Sequence, residues 1–286
     1  MIKKIKYFLE SIIVYFFFII GRLLGLYISL RLFSFIFQKI GFLFKSSKII
    51  NENLNRFSKT ISNEGREKII KNMWSNYGKT FIEYIFLDVY RREQKFVQFE
   101  NNNLIKSVIK SKKPVIFVSG HFANFEIMSM ELSKMNIKLA TIYRPLNNYF
   151  LNPFMEFLRK KYICQNQIKK GRAGVREAIN FINHGYNIAL MIDQRVSEGE
   201  VVDLFKHPSL TTTLPAQLAL KYKLNIIPIF IERIKNNNFI IKFHEPINIS
   251  KFSNKFQLTK KLNNELEQMI TKNPDQWIWT HNRWKL

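Results

Sequence analysis

Gly120-His121-Phe122-Ala123-Asn124-Phe125-Glu126 sets an imidazole and a carboxylate five residues apart, directly after the short β-branched run Pro114–Ser119. An imidazole can take a proton from a hydroxyl through one ring nitrogen while a carboxylate holds the other. On one continuous helix a five-residue step turns by roughly 140°, so the two side chains would not share a face. They meet if His121 lies in a turn and Glu126 in the first helical turn, with Asn124 near the cap. The bland alternative is a capped loop histidine. A second acid, Asp193, ends the apolar run Asn187–Ile192. A carboxylate at such a place needs a partner, either an arginine of a site or the amides of its own turn. His184, His207, His244 and His281 share no spacing with one another or with carboxylates, and read as non-catalytic. The single cysteine, Cys164, rules out an internal disulfide and a zinc site of paired thiolates, and reads as a small buried side chain.

The elements that would carry these groups alternate. Pro114–Ser119, Lys138–Tyr143, Asn187–Ile192 and Asn225–Ile231 read as strands, with Phe239–Phe243 able to pair beside the last. Helices are expected from about Asn124, after Pro145, over Arg172–His184, around Pro215–Tyr222 and over Phe256–Ile270. Strands alternating with helices predict an α/β fold with a mostly parallel sheet, and ligands then gather at the strands' C-terminal ends. No Gly-x-Gly-x-x-Gly turn and no Walker lysine accompanies the pattern, which argues against the usual nucleotide folds. Upstream, residues 49–99 carry apolar side chains at three- and four-residue spacing, as in Ile70, Trp74, Tyr77 and Phe81, and predict two helices divided near Ser62–Gly65.

The first forty residues point to a membrane. Lys3, Lys4 and Lys6 precede the apolar stretch Ser11–Ile20, which resumes at Leu23–Leu30 after Gly21-Arg22. A spanning helix needs roughly 20 mostly apolar residues, and here that length is reached only by including Arg22. An interfacial helix with its apolar side in lipid is the other reading. No small-residue cleavage site follows Ile20, against a cleaved signal peptide. The lysines favour a cytoplasmic N-terminus. The expected organisation is an anchor over 1–45, a helical lead-in over 46–100, and a catalytic domain running to 286, the lead-in counted with it.

The 286 residues hold 45 Lys+Arg against 21 Asp+Glu, a net charge of +24, with 47% hydrophobic residues. That composition excludes a disordered chain and calls for an anionic partner: nucleic acid, an acidic membrane surface, or an acidic protein or phosphorylated substrate. No nucleic-acid motif accompanies the charge, and the apolar N-terminus is out of place in such a binder.

Six ordered blocks resemble one family. Gly120–Glu126 is similar to the His-x4-Asp/Glu motif of glycerolipid acyltransferases, with flanks like those of the late acyltransferases of lipid A biosynthesis, the lauroyl/myristoyl transferases. Tyr143-Arg144-Pro145-Leu146-Asn147-Asn148, Gly171-Arg172-Ala173-Gly174-Val175-Arg176, and Met191-Ile192-Asp193-Gln194-Arg195 with Glu198-Gly199 resemble its next three blocks. Thr211-Thr212-Thr213-Leu214-Pro215 and Pro274–Trp284 complete the series, so the likeness runs over roughly residues 20–286. The family usually has Gly and Trp where this chain has Ala123 and Phe125, and Val202–Pro208 departs from its apolar-glycine pattern.

The resemblance implies transfer of a fatty acyl chain from acyl carrier protein to a hydroxyl of a lipid A precursor, at the cytoplasmic side of a bacterial inner membrane. It makes His121 the general base and Glu126 its orienting carboxylate, with no cofactor, metal or covalent acyl-enzyme. Arg144, Arg172 and Arg176 become candidates for the thioester oxyanion or for acceptor phosphates, and Asp193 and Gln194 join the substrate-binding set. Acidic carrier protein, phosphorylated acceptor and anionic leaflet would all suit the basic surface. The rival acceptors are a mannosylated phosphoinositide or a lysophospholipid.

Overall fold

The computed structural model describes residues 2–111 and 113–286. Five helices lead: α1 (Ile2–Leu24), α2 (Leu26–Phe44), α3 (Ser47–Phe57), α4 (Asn63–Glu83) and, after one 3-10 turn, α5 (Leu87–Arg92). The α/β part follows as β1 (Val97–Glu100), α6 (Asn102–Ser111), β2 (Ile116–Ser119), α7 (Phe125–Lys134), β3 (Leu139–Tyr143), α8 (Asn152–Leu158), β4 (Asn166–Lys169), α9 (Arg172–Asn183) and β5 (Asn187–Met191). Then come the hairpin β6 (Glu200–Leu204) and β7 (His207–Thr211), followed by α10 (Leu214–Tyr222), β8 (Ile226–Arg233), β9 (Phe239–Phe243) and α11 (Lys255–Lys272).

The large sheet runs β1-β9-β8-β2-β5-β3-β4. Every pairing in it is parallel except β8 with β9. β2 is buried along its whole length, and Ile116, Phe117 and Val118 are closed off from solvent on both faces by flanking helices, as parallel strands between helix layers must be. The fold is therefore α/β with a mostly parallel sheet, as the sequence implied. Four further elements carried no such apolar signal: β1, β4 and the β6–β7 hairpin. That hairpin occupies Val202–Pro208, the stretch that departs from the family pattern. It turns on Phe205 and Lys206, both left-handed (φ 53° and 59°), a type I′ geometry that usually uses Asn-Gly. The Phe205 amide is held there by the Glu267 carboxylate.

The N-terminal helices do not stand apart from the rest. Gly25, with φ 75°, breaks α1 from α2. α2 packs tightly on α4: a Cβ on Gly78 would fall 2.2 Å from the Phe33 carbonyl oxygen, so only glycine lets the backbones come this close. α1 lies lengthwise along the globular part. Tyr7 and Phe8 set their rings edge-on against Tyr149 and Phe150, the Tyr15 hydroxyl donates to the Phe150 carbonyl, and Phe18 packs on Phe81 and Phe154. Arg22, which a spanning helix would have carried into lipid, donates to both Asp88 oxygens at 3.0 and 2.8 Å and to the Ile85 carbonyl. On the outer side of α1, Ile5, Leu9, Ile12, Phe16 and Ile19 are exposed. Both helices are long and apolar enough to cross a membrane by length and composition.

Candidate active site

Strand register brings His121 and Asp193 together. Ser119 of β2 pairs with Met191 of β5, and the Ile192 amide continues the ladder to the Ser119 carbonyl at 2.9 Å. His121 and Asp193 each lie two residues past that pair, so they emerge side by side at the strands' C-terminal ends. The His121 amide donates to Asp193 Oδ2 at 2.8 Å, and its ring Nδ1 sits 2.7 Å from Asp193 Oδ1. A third donor, the Trp277 indole N–H, reaches Oδ2 at 2.9 Å. Burial alone would push the Asp193 carboxyl up. The His121 charge and the hydrogen bonds from His121 and Trp277 outweigh it and hold the carboxyl at about 2, below the usual 3.8. An ionised carboxylate only accepts, so Nδ1 carries a proton in either form of the ring, and in the neutral form Nε2 presents a lone pair. The ring is one-sixth exposed, with 17% of its side-chain surface open, and Phe125 stands edge-on to it at 4.5 Å.

The carboxylate that orients His121 is thus Asp193, where the sequence pointed to Glu126. Glu126 is in the first turn of α7, as expected, and Asn124 caps that helix by accepting from the Glu126 amide. Its side chain, however, is taken up elsewhere. Arg159 donates Nε to Glu126 Oε1 at 2.8 Å, with Nη2 2.7 Å from the same oxygen, and the Tyr84 hydroxyl donates to it at 2.5 Å. Arg159 Nη2 also reaches the Tyr84 oxygen. Burial pushes the Tyr84 hydroxyl well above its ordinary range, and burial opposes but does not prevent the rise of the Arg159 guanidinium beside Glu126 and Tyr84. Arg159 Nη1 is buried with no hydrogen-bond partner among the described residues. Neither Tyr84 nor Arg159 carries a motif in the sequence; their roles come from a helix 42 residues before Glu126 and a π-turn 33 after it.

The remaining expected residues divide. Arg144 follows β3 and Arg172 opens α9 after β4, so both sit on the same sheet edge as His121, exposed, with Arg176 one turn further along α9. Lys170 joins them: burial lowers its ammonium, and nearby Arg144 lowers it further. Asp193, expected among the substrate-binding residues, is buried and accepts three hydrogen bonds, two from His121 and one from Trp277. Gln194, half-buried in the next position, makes no hydrogen bond among the described residues. His281 is closer to the centre than its isolated place in the sequence suggests. Its Nε2 accepts from the Arg195 amide at 2.8 Å, and burial lowers its imidazole to about 4, with Arg283, His121 and Arg144 adding to the effect against Asp193. Trp277, Trp279 and Trp284 are buried core groups, not a lipid-facing belt. Among the described residues no group of His, Cys, Asp and Glu is arranged to hold a metal ion.

The family model described as bacterial lipid A biosynthesis acyltransferase matches residues 1–286. Among solved structures, the chain is similar to the 1-acyl-sn-glycerophosphate (LPA) acyltransferase of Thermotoga maritima, at 15% identity over 86% of this chain and 97% of that one, with a TM-score of 0.41. No curated protein matches the sequence.

Proposed function

The chain belongs to the bacterial lipid A biosynthesis acyltransferase family, and on that premise we propose that it moves a lauroyl- or myristoyl-type chain from acyl carrier protein to a hydroxyl of a lipid A precursor. The observation that carries the reading is His121 held at Nδ1 by Asp193 at the C-terminal edge of the sheet, with no hydrogen-bond partner at Nε2 among the described residues. Nε2 takes the acceptor's hydroxyl proton as its oxygen bonds to the thioester carbonyl carbon. The tetrahedral intermediate collapses with loss of the C–S bond, and the imidazolium returns the proton to the departing thiolate. Products are the ester and the free thiol of the carrier, so atoms and charge balance without a covalent enzyme intermediate. Asp193 stabilises the imidazolium in between, as a buried carboxylate on a catalytic histidine does.

Glu126 serves this site by fixing Arg159 and Tyr84 beneath the α7 N-terminus. Arg144, Lys170, Arg172 and Arg176 form a basic margin on the outer strands, suited to the phosphates of the acceptor. The exposed apolar side of α1, with Lys3, Lys4 and Lys6 at its start, supports attachment in the plane of an anionic inner leaflet. A helix docked along its length from Tyr7 to Arg22 has one side left for lipid, which favours lying on the bilayer over crossing it.

The test is transfer from lauroyl- and myristoyl-acyl carrier protein to the Kdo-bearing tetra-acylated precursor, in detergent, with wild type, His121→Ala and Asp193→Ala. Product from wild type and a loss of about 100-fold or more in both variants is expected, the scale of general acid–base catalysis. No product from folded wild type with either donor removes the lipid A assignment, and lysophospholipid acceptors are then assayed.

A further inference from the structure

Ala123 stands between the base and the helix that follows it, and its backbone is left-handed, with φ 44°. A residue with a Cβ occupies that region only when its surroundings hold it there. Here both of its peptide groups are held. The Ala123 carbonyl accepts from Thr80 Oγ1 at 3.0 Å and from Asn76 Nδ2 at 3.3 Å, both on α4. The Ala123 amide donates to the Gln276 carbonyl at 3.0 Å.

Both routes end on one buried residue, Arg233, the first at its side chain and the second at its backbone. Arg233, at the end of β8, donates Nε to Asn76 Oδ1 at 2.9 Å and Nη2 to Thr80 Oγ1 at 3.4 Å. Its own backbone is gripped by the Gln276 amide group, which accepts from Arg233 N and donates to Arg233 O, each at 2.7 Å. The guanidinium is paired with the fully buried Glu83, and Glu83 in turn accepts from Asn124 Nδ2 at 2.8 Å. Asn124 is the cap of α7. The loop from His121 to Glu126 is therefore fixed at Ala123 and again at Asn124 by groups that trace back to Arg233 and Glu83, neither of which touches His121 or Asp193.

We propose that this clamp, Asn76 and Thr80 backed by Arg233 and Glu83, is the positioning device of the catalytic loop: it holds Ala123 left-handed so that His121 meets Asp193. The inference deepens the acyl-transfer reading and rests on it for its kinetic consequence. It has a specific signature. Glycine adopts positive φ without a Cβ penalty, so Ala123→Gly should make the clamp largely dispensable, whereas it could not repair a general loss of packing.

The experiment compares Thr80→Val/Asn76→Leu with and without Ala123→Gly, reading kcat, KM and the hydrogen-bonded His121 Nδ1 proton by NMR. Misplacement of a catalytic group by an ångström costs on the order of 100-fold, so the double variant should lose about 10- to 100-fold in kcat with KM within about threefold, and its ring-proton signal should fade. Adding Ala123→Gly should return about tenfold or more of the lost kcat together with the signal. Unchanged kcat and signal in the folded double variant overturn the proposal. So does a loss that Ala123→Gly leaves uncorrected. Should the double variant fail to fold, Thr80→Val alone, nearly isosteric, carries the same comparison with a smaller change of the same sign. The ring-proton readout needs no substrate: a wild type that transfers nothing but shows the expected loss and recovery of the signal defeats the acyl-transfer reading and leaves the clamp standing.

Discussion

Arg159 takes the carboxylate of Glu126 through two of its nitrogens at 2.7 and 2.8 Å, and that pairing leaves Asp193 as the acid on the His121 ring. The His-x4-Glu spacing thus describes two adjoining assemblies: the histidine proposed as base, bonded to Asp193, and a buried ion pair at the start of α7.

The first assembly predicts a charge effect separable from shape. Asp193→Asn preserves size but removes the acceptor that fixes the Nδ1 proton. Its kcat should fall by about 100- to 10,000-fold with little change in KM. Steady-state kinetics on the folded variant decide it, and a loss under tenfold would assign the ring's orientation to something other than the carboxylate.

The second assembly predicts a stability effect with a compensating partner. Removing one member of a buried pair leaves the other charge stranded, at about 3–5 kcal/mol. Glu126→Met and Arg159→Met should each lower the unfolding free energy on that scale. The double replacement should regain more than half of the loss, since apolar groups of similar volume often substitute for a buried pair. Strictly additive losses in denaturant titrations would refute the coupling.

His281 predicts a pH dependence of stability. Its folded-state value, about 4, is depressed below the usual 6.5 by burial. Below 6.5 the unfolded chain binds a proton that the folded chain refuses. Its share of stability is therefore full above 6.5 and is lost progressively as pH falls toward 4. Melting curves from pH 7 to pH 4 should show a steeper decline for wild type than for His281→Gln. Asp193 acts in a lower window, from 3.8 down to about 2, so the two can be told apart.

The exposed side of α1 predicts vesicle binding that depends on both apolar and basic residues. Replacing Lys3, Lys4 and Lys6 by glutamine should weaken flotation with anionic vesicles by about fivefold per lysine, each being worth about 1 kcal/mol near such a surface. Ile12→Asp with Phe16→Asp should abolish flotation even at low salt, while leaving the Arg22–Asp88 face and the fold intact. Unimpaired flotation of that variant would assign lipid contact to another surface.

The sheet's central strands and the turn carrying His121 were legible in the sequence because burial on both faces forces continuous apolar runs, as in Ile116–Val118. Edge strand β1 alternates half-buried and exposed positions, and edge strand β4 fully buries only Ile168; at four residues each they are too short and too polar to register. The β6–β7 hairpin hid because Phe205 and Lys206 occupy positions where glycine or asparagine would have marked the turn. In the site, the separation of His121 from Asp193 is 72 residues, and only the register of β2 against β5 brings them together. Arg159 was one basic residue among 45, distinguished only by its buried contact with Glu126 and Tyr84. The lesson on Ala123 is similar: the sequence shows a small residue, and the backbone angle shows why its surroundings matter.

The clamp around Ala123 also bears on when the site can form. Its contacts join residues on α4, the end of β8 and Gln276, the last of these 153 positions away from Ala123 in the chain. Loop-closure entropy must be overcome before such distant contacts return any free energy. Helices α4 and α7 can therefore gain structure early while the loop between His121 and Glu126 still samples right-handed conformations. If the clamp positions the loop as proposed, His121 should meet Asp193 only as β8 and the Gln276–Trp277 segment dock. The Ala123 amide, hydrogen-bonded across that final closure, should then exchange with solvent only when the whole domain opens, marking the last step of folding at the residue beside the first step of chemistry.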